Sequence, residues 1–229
     1  MITYEQFLEN NQRVQERFWA ACEAAGRKSS DVQIMPVTKT HPVDAAVYAA
    51  QAGYVAVGEN RVQEALDKIA DGKAPIRWEL IGHLQSNKAK VAAEKFDRVQ
   101  SVDSVKLLQR LNAAAECCGR RLPILLQVNA GNDPAKYGLA VEATPGVLEH
   151  ALELEYLQVD GLMTIAPLSD DADVAVRCFM RLRELRDQLA SKFGVALPEL
   201  SMGMSGDLEA AVASGSTLLR VGSAFFGAR

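Results

Sequence analysis

Residues 31–60 read DVQIMPVTKTHPVDAAVYAAQAGYVAVGEN and contain the pattern that decides the fold. The run 32–37 is apolar, too short for a helix, and closed by the polar group Thr38-Lys39-Thr40, which is typical of a buried strand followed by a loop. The alanine-rich stretch 42–52 then predicts a helix, and 54–57 predicts the next strand. This part of the chain therefore predicts one strand-helix-strand unit.

The same alternation continues along the rest of the chain. The predicted strands are 32–37, 54–57, 78–81, 98–101, 124–128, 157–162, 200–202 and 218–221. The predicted helices are 4–26, 42–52, 60–70, 85–95, 104–118, 144–152, 173–193 and 207–213. Thr144 is expected to cap its helix, with Pro145 at the first helical position. About eight such units suit a single (β/α)₈ TIM barrel domain over residues 1–229, and an open doubly wound sheet is the alternative.

Composition and charge exclude several classes of protein. A hydrophobic content of 48% and a charged content of 24% are ordinary for a globular protein and exclude collagen-like and disordered classes. The formal net charge of −4 argues against a nucleic-acid partner. The amino terminus lacks a secretory apolar run, and no segment reaches the ~20 apolar residues of a membrane span, so we expect a cytoplasmic protein without a membrane partner. The four cysteines and three histidines show no zinc-ligand spacing, and we expect no metal site.

The first loop of the predicted barrel carries a candidate reactive amine. Parallel α/β folds place their ligands where strands end, so the residues that follow each strand carry functional information. Lys39 follows the first strand, and we expect its side chain to point over the barrel axis. Burial there favours the neutral amine, which condenses with an aldehyde to form a Schiff base. A solvated loop lysine is the alternative, and only the neighbouring residues distinguish the two.

Two glycine-containing turns follow the last two predicted strands. Residues 203–206 read GMSG and precede a helix, and Gly222-Ser223 precede an apolar run. Turns of this kind direct backbone N–H groups toward an anion, and barrels commonly bind phosphate after their last two strands. Glycine-serine pairs are also common in ordinary loops. In combination with Lys39, the turns predict a phosphorylated aldehyde cofactor, pyridoxal 5′-phosphate.

Five motifs resemble those of the pyridoxal phosphate homeostasis proteins, also called the YggS/PROSC family. They are VTK at 37–39, GENRVQE at 58–64, IGHLQSNK at 81–88, SMGMSGD at 201–207 and RVGS at 220–223. The resemblance covers essentially the whole chain. It implies a barrel similar to the N-terminal domain of alanine racemase, which carries pyridoxal phosphate on Lys39 and has no established turnover.

The resemblance also implies a cofactor site. The expected cofactor-binding residues are Lys39, Asn60, Met204, Ser205, Arg220, Gly222 and Ser223. Lys39 is implied as the Schiff-base lysine. Ser205, Gly222 and Ser223 are implied as the phosphate binders, and Arg220 as the partner of the pyridine nitrogen. Because a guanidinium stays charged, it disfavours protonation of that nitrogen and makes the ring a weaker electron sink.

Several of these residues and their neighbours also have an ordinary structural interpretation. A helix cap is the alternative for Asn60, and an exposed strand-end position is the alternative for Arg220. Asp207 is expected to cap a helix, since a carboxylate facing a phosphate would repel it. His83 is expected to be structural, and Lys136 to lie in a solvated turn.

Three functions compete for this pattern: a cofactor-holding regulator, a pyridoxal phosphate-dependent amino-acid racemase, and a barrel enzyme that acts on a sugar phosphate. The racemase resembled by this barrel takes its second base, a tyrosine, from a further domain, and we expect none in 229 residues. The interpretation as a sugar-phosphate enzyme gives no role to Arg220 or to the extended family motifs. We therefore expect a monomeric, non-enzymatic protein that buffers pyridoxal phosphate or delivers it to acceptor enzymes that depend on it, and so affects amino-acid and keto-acid balance.

Overall fold

The computed structural model describes residues 2–169 and 171–227, and its strands form one parallel sheet that curves into a barrel. The strands are β1 (Gln33–Pro36), β2 (Ala56–Glu59), β3 (Arg77–Leu80), β4 (Arg98–Val102), β5 (Leu122–Gln127), β6 (Leu157–Met163), β7 (Glu199–Ser201) and β8 (Leu218–Val221). The helices are α1 (Tyr4–Ala24), α2 (Asp44–Gln51), α3 (Val62–Asp71), α4 (Ala89–Lys95), α5 (Val105–Cys117), α6 (Thr144–Leu152), α7 (Ala172–Phe193), α8 (Leu208–Ala213) and α9 (Ser223–Phe226). The first strand pairs with the last, which confirms the predicted barrel and excludes the open sheet.

The barrel is nearly closed, and its seam lies between β1 and β2. An isolated bridge joins Val37 to Gly58 there, and the Thr38 N–H donates to the Gly58 carbonyl (3.1 Å). Successive residues of a strand present their N–H groups to opposite sides, and those of Gln33 and Val37 donate toward β8. Position 36 therefore faces β2, where Pro36 has no N–H to donate. This missing donor explains why the ladder is interrupted at the seam.

The start of β2 differs from the prediction by two residues. Because β2 covers Ala56–Glu59 rather than 54–57, Gly58 and Glu59 belong to the strand and not to the loop. The Tyr54 N–H donates to the Ala49 carbonyl (3.0 Å), so this residue completes the turn after α2 instead of starting a strand.

Helices α2 and α3 each begin two residues later than predicted, and a 3₁₀ turn precedes each of α4 and α6. The segment predicted as helix 85–95 begins with a 3₁₀ turn, Ser86–Lys88, before α4. Thr144 is the first residue of α6 rather than its cap, because a 3₁₀ turn over Val141–Ala143 precedes it. Its hydroxyl donates backward to the Ala140 carbonyl (2.9 Å).

Helix α9 was not predicted, and it anchors the chain after β8. Its Phe225 and Phe226 are buried. The ring of Phe226 lies 5.4 Å from that of Phe7 on α1, and the ring of Phe225 lies 5.7 Å from it. Burial of these aromatic rings holds the backbone at Gly222, directly before the helix.

The barrel interior contains polar side chains among apolar ones. The buried polar residues on the strands include Glu79 on β3, Gln100 on β4, Ser201 on β7 and Arg220 on β8. Buried polar groups need hydrogen-bond partners, so these side chains must bond to one another or to the backbone. In the part of the chain that the structure describes, no helix has both the length and the apolar character to cross a membrane.

Candidate functional site

A cavity of about 1130 Å³ opens at the carboxyl ends of the strands. The residues predicted for the cofactor site all line it: Lys39, Asn60, Met204, Ser205, Arg220, Gly222 and Ser223. They lie in or directly after β1, β2, β7 and β8. This end of a (β/α)₈ barrel is where such folds bind their ligands. The structure therefore brings the predicted residues together in one place.

The backbone on both sides of Lys39 is held by charged side chains. Lys68 on α3 donates from Nζ to the Thr38 carbonyl, directly before Lys39 (2.8 Å). The Thr40 N–H, directly after it, donates to the Glu64 carboxylate. Thr40 has a φ of 65°, a conformation that residues other than glycine rarely adopt. These contacts fix the short segment that carries the half-buried Lys39.

Glu59 connects the two contacts and completes what we call the Glu59–Glu64–Lys68 cluster. Its Oε1 accepts hydrogen bonds from Thr38 Oγ1 (2.6 Å) and Lys68 Nζ (2.7 Å), and Lys68 also reaches Glu64 Oε1 (2.8 Å). Burial raises the pKa of Glu59, although the bonds from Lys68 and Thr38 oppose the rise. Among the described residues, Glu59 Oε2 has no hydrogen-bond partner. The sequence interpretation missed this cluster, and the spacing of four between Glu64 and Lys68 was its one local signal.

The turns after β7 and β8 meet at one side of the cavity. Ser205 Oγ accepts a hydrogen bond from the Ala224 N–H (3.3 Å), so the hydroxyl of one turn contacts the backbone of the other. A Cβ on Gly222 would lie 3.4 Å from the Val37 carbonyl oxygen. The turn after β8 therefore lies against the strand that leads to Lys39.

Gly203 and Asp207 shape the turn after β7. Gly203 has a φ of +96°, and a Cβ there would lie 2.3 Å from the Ala211 Cβ, so only glycine fits. The prediction that the Asp207 side chain caps α8 is wrong. Asp207 occupies the N-cap position, but its carboxylate accepts from the Met204 N–H instead of from the helix. It therefore holds the loop that carries Met204 and Ser205.

Asn60 does not cap α3. That helix begins at Val62 with Arg61 as its N-cap residue, and Asn60 lines the cavity instead. The loop after β3 packs directly against it, since a Cβ on Gly82 would lie 2.1 Å from the Asn60 carbonyl oxygen. The structure therefore favours the cavity position that the sequence resemblance implied.

Arg220 is buried, which excludes the alternative of an exposed arginine at a strand end. Its relative exposure is 4%. Nη1 donates to Ser201 Oγ (2.7 Å) and Nη2 donates to the Thr164 carbonyl (2.8 Å). Burial lowers the pKa of Arg220 to about 10, and Asp207 opposes this effect. A pKa of about 10 still leaves the guanidinium charged at neutral pH.

His83 and Lys136 both line the cavity. The His83 ring is stacked on that of Tyr137, with centroids 3.9 Å apart and an interplanar angle of 9°. Its Nδ1 lies 3.1 Å from Asp103 Oδ2. The structural role expected for His83 stays a prediction, because the same residue also lines the cavity. Lys136 lies in the predicted turn, since its N–H donates to the Asp133 carbonyl (3.0 Å), and this turn lines the cavity with Lys136 half-buried.

The donor set of the cavity fits a phosphorylated aldehyde that contains a ring nitrogen. Lys39 supplies a primary amine, and Ser205 and Ser223 supply hydroxyls beside glycine-containing turns. A guanidinium donates hydrogen bonds and accepts none, so the group beside Arg220 must be an acceptor, as an unprotonated ring nitrogen is. The cavity volume is ample for a ligand of this size.

Comparisons with known proteins agree with this arrangement. The family model described as alanine racemase, N-terminal domain, matches residues 11–229. A Pseudomonas aeruginosa protein named pyridoxal phosphate homeostasis protein is 41% identical over 222 residues, which cover 96% of this chain and 95% of the relative. A Vibrio cholerae protein of the same name is 38% identical over 226 residues, with 96% and 95% covered. The structure of PipY of Synechococcus elongatus with PLP bound has a TM-score of 0.82 and 38% identity, covering 92% of this chain and 99% of PipY.

Proposed function

This chain belongs to the family of pyridoxal phosphate homeostasis proteins, and on that premise we propose that it binds pyridoxal 5′-phosphate reversibly as a Schiff base on Lys39. One observation carries the proposal: Lys39, Arg220, Ser205 and Ser223 line the same cavity. PipY, a relative of similar fold, has been solved with this cofactor bound, which supports the assignment.

Each chemical group of the cofactor has a matching partner in the cavity. The Lys39 amine reacts with the aldehyde, and the clamped backbone at Thr38 and Thr40 holds that amine in place. Ser205, Gly222 and Ser223 take the phosphate, with the turns after β7 and β8 in contact through the Ser205 hydroxyl. Asn60 and Met204 complete the lining around the ring.

Arg220 favours holding the cofactor, or at most proton exchange at the Cα of an amino acid, over transamination. Pyridoxal phosphate accelerates reactions at an amino-acid Cα by acting as an electron sink, and a protonated ring nitrogen strengthens that sink. The charged guanidinium disfavours this protonation. In the described residues no carboxylate lies within ion-pair distance of Arg220.

We infer a role in buffering pyridoxal phosphate inside the cell or in delivering it to enzymes that depend on it. The family name of the relatives supports this role. The residues assigned to the cofactor come from a single barrel, which supports the proposal that one chain is sufficient to bind it. We expect this chain to act as one monomeric domain. Amino-acid and keto-acid balance is affected indirectly, through the supply of the cofactor.

The absorbance of the purified protein tests the binding proposal. We expect a yellow protein whose cofactor becomes fixed to Lys39 on reduction with borohydride, as peptide mapping would show. Lys39→Ala should be colourless after incubation with pyridoxal phosphate. Lys136→Ala is the matched control, since Lys136 also lines the cavity, and it should keep the colour. A wild-type protein that stays colourless with added cofactor contradicts the proposal.

A separate assay addresses the racemase alternative. Wild-type protein loaded with pyridoxal phosphate is incubated with L-alanine and other L-amino acids, and the D-enantiomers are measured. We expect no D-enantiomer above the level that free pyridoxal phosphate produces. Formation at enzymatic rates, lost in Lys39→Ala, would replace the carrier role with racemisation.

A further inference from the structure

A row of buried polar side chains crosses the barrel interior from Arg220, and we call it the interior relay. Arg220 Nη1 donates to Ser201 Oγ (2.7 Å), and the Ser201 hydroxyl donates to Gln100 Oε1 (2.6 Å). Gln100 Nε2 then donates to Glu79 Oε2 (2.6 Å). The relay therefore begins at a guanidinium and ends at a carboxylate, and every member is buried.

The donors of the interior relay all run in one direction. An ionised carboxylate only accepts hydrogen bonds, so Glu79 requires the amide N–H of Gln100 to face it. The Gln100 carbonyl oxygen then faces Ser201, whose hydroxyl donates to it and leaves its own oxygen to accept from Arg220. Hydrogen bonds aligned head to tail in a low-dielectric interior polarise one another. An unbroken chain of hydrogen bonds through two neutral side chains therefore connects Glu79 to the guanidinium.

Glu79 is anchored at the opposite end of the barrel. Arg98 Nε donates to Glu79 Oε2 (2.8 Å), while Arg98 Nη1 lies 3.6 Å from Glu199 and 3.8 Å from Asp160. Glu79 and Arg98 line a smaller cavity of about 270 Å³, formed by residues at the amino ends of the strands. The interior relay thus connects the two ends of the barrel.

We propose that Gln100 and Glu79 are positioning residues that hold the Arg220 guanidinium in a fixed direction toward the ligand cavity. This inference rests on the proposed function, in which Arg220 faces the ring nitrogen of pyridoxal phosphate. Ser201 and the Thr164 carbonyl take two of the five N–H groups of the guanidinium and so set the direction of the others. If Gln100 loses its amide, Ser201 loses its acceptor and Arg220 loses a fixed partner.

The position of Glu79 explains why a relay is used instead of a direct ion pair. Arg220 is buried and needs negative charge nearby to offset the loss of hydration. A carboxylate in contact with Arg220 would also compete with the ring nitrogen for its N–H groups. Glu79 and Gln100 are not among the described residues that line the ligand cavity. The charge that opposes the effect of burial on Arg220 comes from Asp207, which lines the ligand cavity. The relay adds a hydrogen-bonded connection to a second carboxylate, Glu79, that stays away from the ligand.

The absorbance spectrum of bound pyridoxal phosphate tests this inference in Gln100→Leu and Glu79→Gln. We expect a shifted absorbance maximum and about tenfold faster loss of the cofactor into buffer. Gln100→Leu removes the acceptor of the Ser201 hydroxyl, and Glu79→Gln removes the negative charge at the end of the relay. A change in the spectrum cannot arise from direct contact, since neither side chain lines the cavity. Glu79→Gln keeps the shape of the side chain and serves as the test if Gln100→Leu does not fold.

Thr144→Val is the matched control. It removes the buried hydroxyl at the start of α6, which donates to the Ala140 carbonyl outside the interior relay. The substitution should therefore lower stability and leave the spectrum unchanged. If both relay variants bind the cofactor with the wild-type spectrum and release rate, the relay is structural and this inference alone is wrong. If the wild-type protein takes up no cofactor, the proposed function fails and this inference fails with it.

Discussion

The Lys68 ammonium lies 2.8 Å from the carbonyl oxygen of Thr38, the residue directly before Lys39. Lys68 also neutralises Glu59, which is fully buried. We expect Lys68→Met to lower the free energy of unfolding by about 3 kcal/mol, because it leaves a buried carboxylate without its counter-charge. Urea unfolding measures the change, and a weaker hold on pyridoxal phosphate should accompany it.

Lys73→Met is the control for that measurement. Lys73 pairs with Asp71 on the surface, where its side chain is 64% exposed. Exposed ion pairs contribute about 1 kcal/mol or less to the free energy of unfolding. The free energy of unfolding of this variant should therefore be close to that of the wild type. Equal effects of the two substitutions would mean that the Glu59–Glu64–Lys68 cluster does not stabilise the barrel.

The serine hydroxyls at the two turns are expected to recognise phosphate. Ser205→Ala and Ser223→Ala should each weaken binding of pyridoxal phosphate by roughly fivefold to tenfold, since each removes one hydrogen bond to an anion. Pyridoxal without the phosphate should bind the wild type and both variants equally. Titration followed by absorbance measures both ligands. A loss of affinity of the same size for pyridoxal would place the hydroxyls elsewhere in the site.

The turn after β7 requires a glycine at position 203. Gly203→Ala adds a methyl group 2.3 Å from the Ala211 Cβ at a φ of +96°, and we expect it to lower the free energy of unfolding by about 2 kcal/mol or more. Gly146→Ala is the contrasting change. Gly146 lies in α6, and among the described residues outside that helix backbone no atom lies within 4 Å of where its new Cβ would be. The substitution should raise stability by about 0.5 to 1 kcal/mol. Thermal unfolding of the two variants should therefore shift in opposite directions.

Burial of Tyr54 should make the fold sensitive to alkali. Burial raises the pKa of its hydroxyl to about 12, although a hydrogen bond from Gln15 opposes the rise. The unfolded chain loses this proton near pH 10, whereas the folded chain keeps it up to about pH 12. The contribution of Tyr54 to the free energy of unfolding is therefore complete below pH 10 and is lost between pH 10 and about 12. This contribution is on the order of 2 to 3 kcal/mol. Tyr54→Phe should show a shallower decline in urea unfolding over this range, and an unchanged slope contradicts the assignment.

The parts of the fold that could be predicted are those determined by short stretches of sequence. Short apolar runs that alternate with helical stretches predicted the barrel, and the residues after each run predicted the cavity lining. The interior relay was not predictable, since its members are far apart in sequence: Ser201 contacts Gln100 across 101 positions. The burial of Arg220 was missed for the same reason, because only the closed barrel surrounds it with other strands.

The error at the start of β2 has a local cause. Tyr54 reads as a strand residue by its type, but its N–H donates to the Ala49 carbonyl (3.0 Å) and completes the turn after α2. This turn moves the start of the strand to Ala56. Lys136 lies in the predicted turn, and closure of the barrel brings that turn to the cavity.

The interrupted seam beside Pro36 also divides the cavity lining. Lys39, Arg220 and Ser205 follow or belong to β1, β8 and β7, which are consecutive in the sheet, whereas Asn60 follows β2 on the other side of the gap. Across this gap the strands are connected by the hydrogen bond from Thr38 to Glu59 and by the isolated bridge. The Glu59–Glu64–Lys68 cluster, which lies on and after β2, also holds the backbone on both sides of Lys39. Side-chain contacts thus join the two parts of the cavity lining where the backbone ladder does not.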